Sequence, residues 1–313
     1  MAITQVSSLN SVQSIFDKFA YFALRKALYY DLVATVKPSD SSAKGSGVVF
    51  VKWTDMATAT SAISQTADIT ATTMADGTVT VTNVEYGAGI ETTAKVRDTS
   101  YLEVDRDAAN IVGYNAGESQ DELARDVLVG GTNVIYPGTI VSRATVGPTS
   151  TATQNKLREM RAKLKSGKAM TFADGFYRGF IDSKVLYDIK VETGEAAWSY
   201  PHAHSLPENI LNGDMGVFDG IRWIETPEVK TYANTGGSVQ TVEVFTTLVV
   251  GDQALAKAYV PAVGPYAKII HGPVVDRLER FEPISWYWHG GYGRFREESI
   301  YRLESASTLA TNV

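Results

Sequence analysis

Apolar residues recur at two spacings along the chain, and the places where the spacing changes mark its parts. Val12, Ile15, Phe16, Phe19, Ala23 and Ala27 step by three and four, which predicts an amphipathic helix after a polar lead. Pro38 and the Ser/Asp/Gly-containing run to Gly47 break that pattern. The period then becomes two. Val48 to Trp53 is β-branched and aromatic, and Thr78 to Val84 alternates strictly after the turn Asp76-Gly77, so two strands are predicted. Between them, 15 of the 22 residues at 54–75 are Ala, Thr or Ser. Such a segment has too few bulky groups for a core of its own, and a long two-stranded arm is marginal in isolation. It makes sense lying on another subunit; an ordinary surface loop is the alternative reading.

Beyond the arm the helical period returns. Val104, Ala108, Ile111, Asn115, Ser119, Leu123 and Val127 predict one long helix over 103–129, stopped by Gly130-Gly131. Gly113 and Gly117 inside it each cost about 1 kcal/mol relative to Ala, and bare backbone at that spacing admits a close neighbour. A second helix, 150–166, carries Leu157, Met160 and Leu164 on one side and the most basic run of the chain on the other. A solvated face or a contact to acidic residues is favoured there over phosphate binding.

From 171 to 270 short strands and helices alternate as an α+β unit. Strands are predicted at Phe176–Ile181, Gly220–Thr226 and Val242–Val250. Asp182 caps a helix bearing Val185, Leu186 and Ile189, and Gly251-Asp252 opens a short helix to Ala258. Arg280–His289 and Arg294–Ser305 are expected as two long strands joined at Gly290-Gly291.

Charge and composition narrow the function classes. The 313 residues carry a formal net charge of −6, which argues against a surface built to grip nucleic acid but not against a protein that encloses it. The complete lack of cysteine excludes disulfides, Cys-ligated metals and thiol catalysis. The start MAITQVSSLN lacks the basic and apolar regions of a signal peptide. The apolar stretch Ile15–Val36 is interrupted by Asp17, Lys18, Arg25, Lys26 and Asp31, at roughly 2.5–3.5 kcal/mol each in hydrocarbon, so no membrane span is expected.

Candidate chemistry is sparse. The pair Gly167-Lys168 lacks a P-loop's upstream glycine, Gly291-x-Gly293 lacks a third glycine, and there is no Gly-x-Ser-x-Gly. Asp105-x-Asp107 suits a helix N-terminus, where acidic residues complement the dipole. His202-x-His204, followed by Glu208 and Asp214, has metal-ligand spacing but sits between Pro201 and Pro207 in a loop, so an incidental reading is favoured. His271 and His289 stand alone beside Gly and Trp and are expected to pack. Trp286 and Trp288 share one strand face without interleaved basic residues, which suits packing better than base stacking. No catalytic, metal or cofactor site is nominated. The residues expected at contacts between subunits are Phe16, Phe19, Trp53, Ile63, Ile69 and Met74.

The order of parts resembles the HK97-like coat fold of tailed-bacteriophage major capsid proteins. Local sequence is similar to one branch of those proteins at Tyr177-Arg-Gly-Phe-Ile-Asp182 with Leu186-Tyr-Asp-Ile189, and at Asn209-Ile-Leu-Asn-Gly-Asp-Met-Gly-Val-Phe-Asp-Gly-Ile-Arg-Trp-Ile-Glu-Thr226. The resemblance implies an α+β chain with an N-terminal arm at 1–42, an extended loop at 43–92 and a peripheral domain at 93–170 containing a spine helix at 103–130. An axial domain at 171–270 and peripheral strands with a tail at 271–313 complete it. It further implies self-assembly into hexamers and pentamers of an icosahedral virion shell in a bacterial host's cytoplasm, enclosing double-stranded DNA without sequence-specific binding. A portal and decoration proteins would be partners. The first hairpin strand starts near residue 47, leaving no room for a fused scaffolding extension, so a separate scaffolding protein is expected. Lys44 and Lys52 lie on the loop, but no asparagine or carboxylate can be nominated for cross-linking with them. Rival readings are an encapsulin-like bacterial nanocompartment shell, a metal-dependent hydrolase built on His202 and His204, and an extracellular adhesive module.

Overall fold

The computed structural model describes residues 29–39, 47–63, 65–66, 68–69, 71–100, 103–192, 216–234, 242–272, 276, 278 and 280–310. The predicted arm helix, Lys44 and the histidines at 202 and 204 lie outside them. By contacts the chain divides into two compact units. The smaller comprises Gly87–Ala116 and Lys268–Tyr287; the larger comprises the described parts of Lys26–Tyr86, Gly117–Ala267 and Trp288–Val313.

The larger unit is organised on a sheet whose central strand is β10 (Val242–Val250). Beside it lie β14 (Ile300–Ser305) and β6 (Tyr177–Ile181), both antiparallel to it; β9 (Thr231–Asn234) also pairs with it. The sheet continues through β5 (Val134–Ile135) at one side, and through β8 (Ile221–Glu225) and β7 (Val217–Phe218) at the other. β10 is buried along almost its whole length and on both faces, as a central strand must be, with Thr246 and Thr247 among its buried residues. One face is covered by α3 (Gln154–Ser166) and α4 (Ser183–Val191), which insert Leu157, Met160, Leu164, Val185, Leu186 and Ile189 into one core. Asp182 caps α4 by accepting from the Lys184 N–H at 2.7 Å, as expected. The turn between β7 and β8 is Asp219-Gly220, both at positive φ, which only short polar residues or glycine adopt readily. The basic face of α3 is largely satisfied locally, by Glu159 for Lys156 and Lys163 and by Asp219 for Arg161.

A second sheet region of the larger unit sets β11 (Leu255–Tyr259) between β1 (Ala34–Pro38), parallel to it, and residues 290–294 of β13 (Phe281–Arg294), antiparallel. This corrects two expectations. The short helix predicted up to Ala258 is strand β11, because a five-residue run buried on both faces shows no alternation to distinguish it from a helix. The expected turn at Gly290-Gly291 is instead continuous strand, and β13 and β14 lie in different sheets, separated by the 3-10 turn Glu297–Ser299. The glycines serve close approach: a Cβ on Gly291 would collide with the Thr82 carbonyl, and one on Gly293 would come within 2.7 Å of Val81.

In the smaller unit β12 (Lys268–His271) pairs with residues 284–287 of β13, and β4 (Val84–Thr93) also pairs with β13. A short helix, α1 (Ala94–Thr99), follows β4 and is capped by the Thr93 hydroxyl. The long helix α2 (Val104–Val129) has the predicted length and contributes to both units. Its buried face, however, is Ala108, Val112, Ala116, Gln120, Ala124 and Leu128, displaced from the expected one, and Ile111 is exposed. Small residues dominate that stripe, so bulk hydrophobicity misplaces it. Asp105 and Asp107 fall in the first turn as expected; Asp105 accepts from the Thr92 hydroxyl at 3.0 Å. Trp286 and Trp288 are buried on one strand face; the Trp286 indole donates to Asn115 at 2.9 Å, and in the larger unit Trp288 stacks on Tyr86 at 5.7 Å.

Candidate assembly interface

The hairpin predicted from alternation is present. β2 (Gly47–Trp53) and β3 (Asp76–Thr82) pair antiparallel from Gly47↔Thr82 to Trp53↔Asp76, as a two-stranded sheet of their own. The second strand ends at Thr82, and the following residues of the expected loop belong to β4. Antiparallel pairing sends alternate residues to opposite faces. One face, with Val48, Phe50, Val79 and Val81, packs on Ala256 and Ala258 of β11 and on Phe295. Phe50 and Phe295 meet at 5.6 Å between ring centroids. This base is also tied by polar contacts. Lys37 of β1 donates to the Val49 carbonyl at 3.0 Å, and Lys52 forms an ion pair with Glu298 in the turn before β14. Burial pushes the Glu298 carboxyl up, but the hydrogen bond from Lys52 and the nearby charges outweigh it and hold the group below the ordinary carboxylate range.

The other face and the tip are bare. Val49 and Val51 are exposed, and Trp53 is 61% exposed. Past Trp53 the chain runs without regular structure among the described residues, and Met56, Ile63, Ile69 and Met74 are exposed by 72, 75, 68 and 80%. Four of the six nominated contact residues (Trp53, Ile63, Ile69 and Met74) are therefore solvent-facing and brought onto one hairpin; Phe16 and Phe19 lie outside the described residues. Sequence reasoning missed Met56, which the same small-residue context would have found. It also missed Val49 and Val51, which the β-period places opposite Phe50.

Backbone geometry adds an open edge. Thr54 donates to the Ala75 carbonyl at 3.0 Å, so the bonded pairs of the ladder fall at 54, 52, 50 and 48. Residues 49, 51 and 53 then point their N–H and C=O groups away from β3, consistent with Val49 accepting from Lys37. Among the described residues no further strand pairs with this edge, and an open edge beside exposed apolar side chains is a surface suited to protein contact.

Among the described residues, no group of three or more His, Asp or Glu is placed to hold a metal ion, and no helix is long and apolar enough to cross a membrane. His271 is exposed on β12 instead of packed, and His289 is half-buried.

Solved structures similar to this chain include phage capsids. The capsid of Helicobacter pylori bacteriophage KHP30 has a TM-score of 0.73 at 12% identity, covering 98% of this chain and 99% of that one. The cyanophage Pam1 capsid gives 0.72 at 13%, covering 96% and 97%. The Ralstonia phage GP4 capsid gives 0.70 at 13%, covering 95% and 96%. These likenesses establish the HK97-like coat fold. A comparison with curated protein sequences finds no match. A family profile described as phage capsid protein matches residues 31–307, and the chain belongs to that family.

Proposed function

We propose that this chain is the major subunit of an icosahedral phage shell, arranged in hexamers and pentamers around double-stranded DNA, and that it performs no catalysis. The carrying observation is the hairpin: a base packed on β11 and a tip whose apolar side chains are exposed, with no packing partner among the described residues. Those side chains become buried when the tip lies across a neighbouring subunit, and contacts of this heterologous kind close into rings when the rotation fits. Parts bounded at 1–42, 43–92, 93–170, 171–270 and 271–313 serve as arm, extended loop, peripheral domain with spine helix, axial domain and closing strands. A net charge of −6 suits a wall that must release its contents. Assembly takes place in the host cytoplasm with a separate scaffolding protein, a portal and, where present, decoration proteins.

Sedimentation and negative-stain microscopy of the chain co-expressed with its scaffold test this reading. Closed shells are expected. A stable 34.0 kDa monomer under all conditions overturns it. The contents discriminate the virion from a nanocompartment: nucleic acid in particles from infected cells supports the first, a protein cargo the second.

A further inference from the structure

The most deeply buried cation among the described residues is Lys257, 1% exposed in the middle of β11. Its ammonium donates to both carboxylate oxygens of Asp31, at 2.7 and 2.8 Å. Three aromatic rings surround it, Tyr266 at 4.8 Å, Tyr292 at 5.5 Å and Trp288 at 5.6 Å from their centroids. Asp31 is held from two further sides. The Tyr292 hydroxyl donates to its Oδ1 at 2.5 Å, and its backbone N–H donates to Asp121 of α2 at 2.9 Å. Asp121 also accepts from the Tyr29 N–H at 3.3 Å, so the turn that opens β1 is clamped on its backbone as well as its side chain.

We propose that Lys257 and Asp31 condense to an intramolecular isopeptide bond, fastening the start of β1 covalently to β11. The proximity that ordinary amide formation lacks is already supplied, because amine and carboxyl are held in contact by a packed shell. A proton passes from the ammonium to Oδ2, leaving a neutral amine against a carboxylic acid. Burial favours this neutral form of Lys257 and opposes the charge attraction of Asp31. The Nζ lone pair adds to Asp31 Cγ, and the negative charge develops on Oδ1, where the Tyr292 hydroxyl already donates. Burial raises the Tyr292 phenol far above its ordinary value, so it stays a donor. The nitrogen gives up a second proton to Oδ2, the Cγ–Oδ2 bond breaks, and one water leaves. Ammonium and carboxylate become amide and water, with no oxidant or cofactor. The product also removes a desolvated ion pair from the interior, which an amide is far cheaper to bury than.

Intact mass spectrometry of the denatured full-length chain reads the result directly. The expected mass is the sequence mass less one water, and a protease digest should yield a branched peptide joining the segments that hold Asp31 and Lys257. Lys257→Arg should restore the full calculated mass. In Asp31→Asn any link forms with loss of ammonia, so the water deficit should vanish there even if the lysine variant fails to fold. Tyr292→Phe should lower the linked fraction at a fixed time at least about tenfold, as loss of an oxyanion donor does. A full sequence mass for the wild-type chain after prolonged incubation overturns the proposal. So does a water deficit that survives in Lys257→Arg or Asp31→Asn.

Discussion

The β10 sheet and the β2–β3 hairpin belong to the same compact unit, yet they satisfy their apolar residues in opposite ways. Around β10 both faces are covered by the chain's own helices and strands, and Phe180, Leu248 and Val249 are fully buried. On the hairpin only the base face is covered, and the rest of its apolar residues face solvent. Burial of a large side chain is worth roughly 1.5–3 kcal/mol, so the first region stabilises the monomer while the exposed side chains of the second contribute no such gain to it. On the proposed reading, one chain separates folding from assembly by where it places its bulky side chains.

The contrast can be broken first at the core. Phe180→Ala removes a ring that packs on Tyr30 at 4.4 Å and should cost about 4 kcal/mol, measured by chemical denaturation. A loss no larger than that of a tip variant would erase the distinction between the two regions. Next in size is Glu304, fully buried on β14 and bound by Arg143 and Arg302. Burial alone would raise its carboxyl, but the hydrogen bond from Arg143 and the two guanidinium charges hold it below the ordinary range. A depressed folded pKa means stabilisation present above the unfolded value near pH ~4.3 and lost as pH falls through the folded value. Glu304→Gln should therefore cost about 3 kcal/mol at neutral pH, and thermal melts should show the wild-type advantage shrinking in acid.

Smaller again is Lys52→Met at the hairpin base. Both partners of the Lys52–Glu298 pair are about one-third exposed, so global stability should change by less than about 1 kcal/mol. Hydrogen exchange of the β2 and β3 amides should nevertheless quicken, because the tie sits where the hairpin leaves the body. The smallest effect on the monomer is expected for Ile63→Ser combined with Ile69→Ser and Met74→Ser. Each change should lie within about 0.5 kcal/mol of neutral in denaturation, while shell yield in sedimentation should collapse. Wild-type yield from that triple variant would detach the tip from assembly.

How much of this the sequence reveals depends on how each region is buried. The hairpin strands, α3 with Leu157, Met160 and Leu164, and the Asp182 cap were legible because one-sided burial leaves a period in the residues. β11 was not, since two-sided burial erases alternation. The path of β13 through Gly290-Gly291 was hidden because glycine marks both turns and close approach, and only the position of Thr82 above Gly291 decides between them. The tip residues were legible as apolar side chains stranded among Ala, Thr and Ser. The pairing of Asp31 with Lys257, 226 positions apart, was not, because it depends on the parallel register of β1 on β11.

The closure of the hairpin at Trp53↔Asp76 also sets a length scale. The 22 residues beyond it form two limbs that, drawn out fully, reach at most about 36 Å. On the proposed reading, contour of that kind lets a neighbouring subunit shift while the tip stays seated, much as a mooring line tolerates a tide. Shortening the tip by a few residues would then change tolerance before adhesion, and curvature is the property in which that loss would first be read.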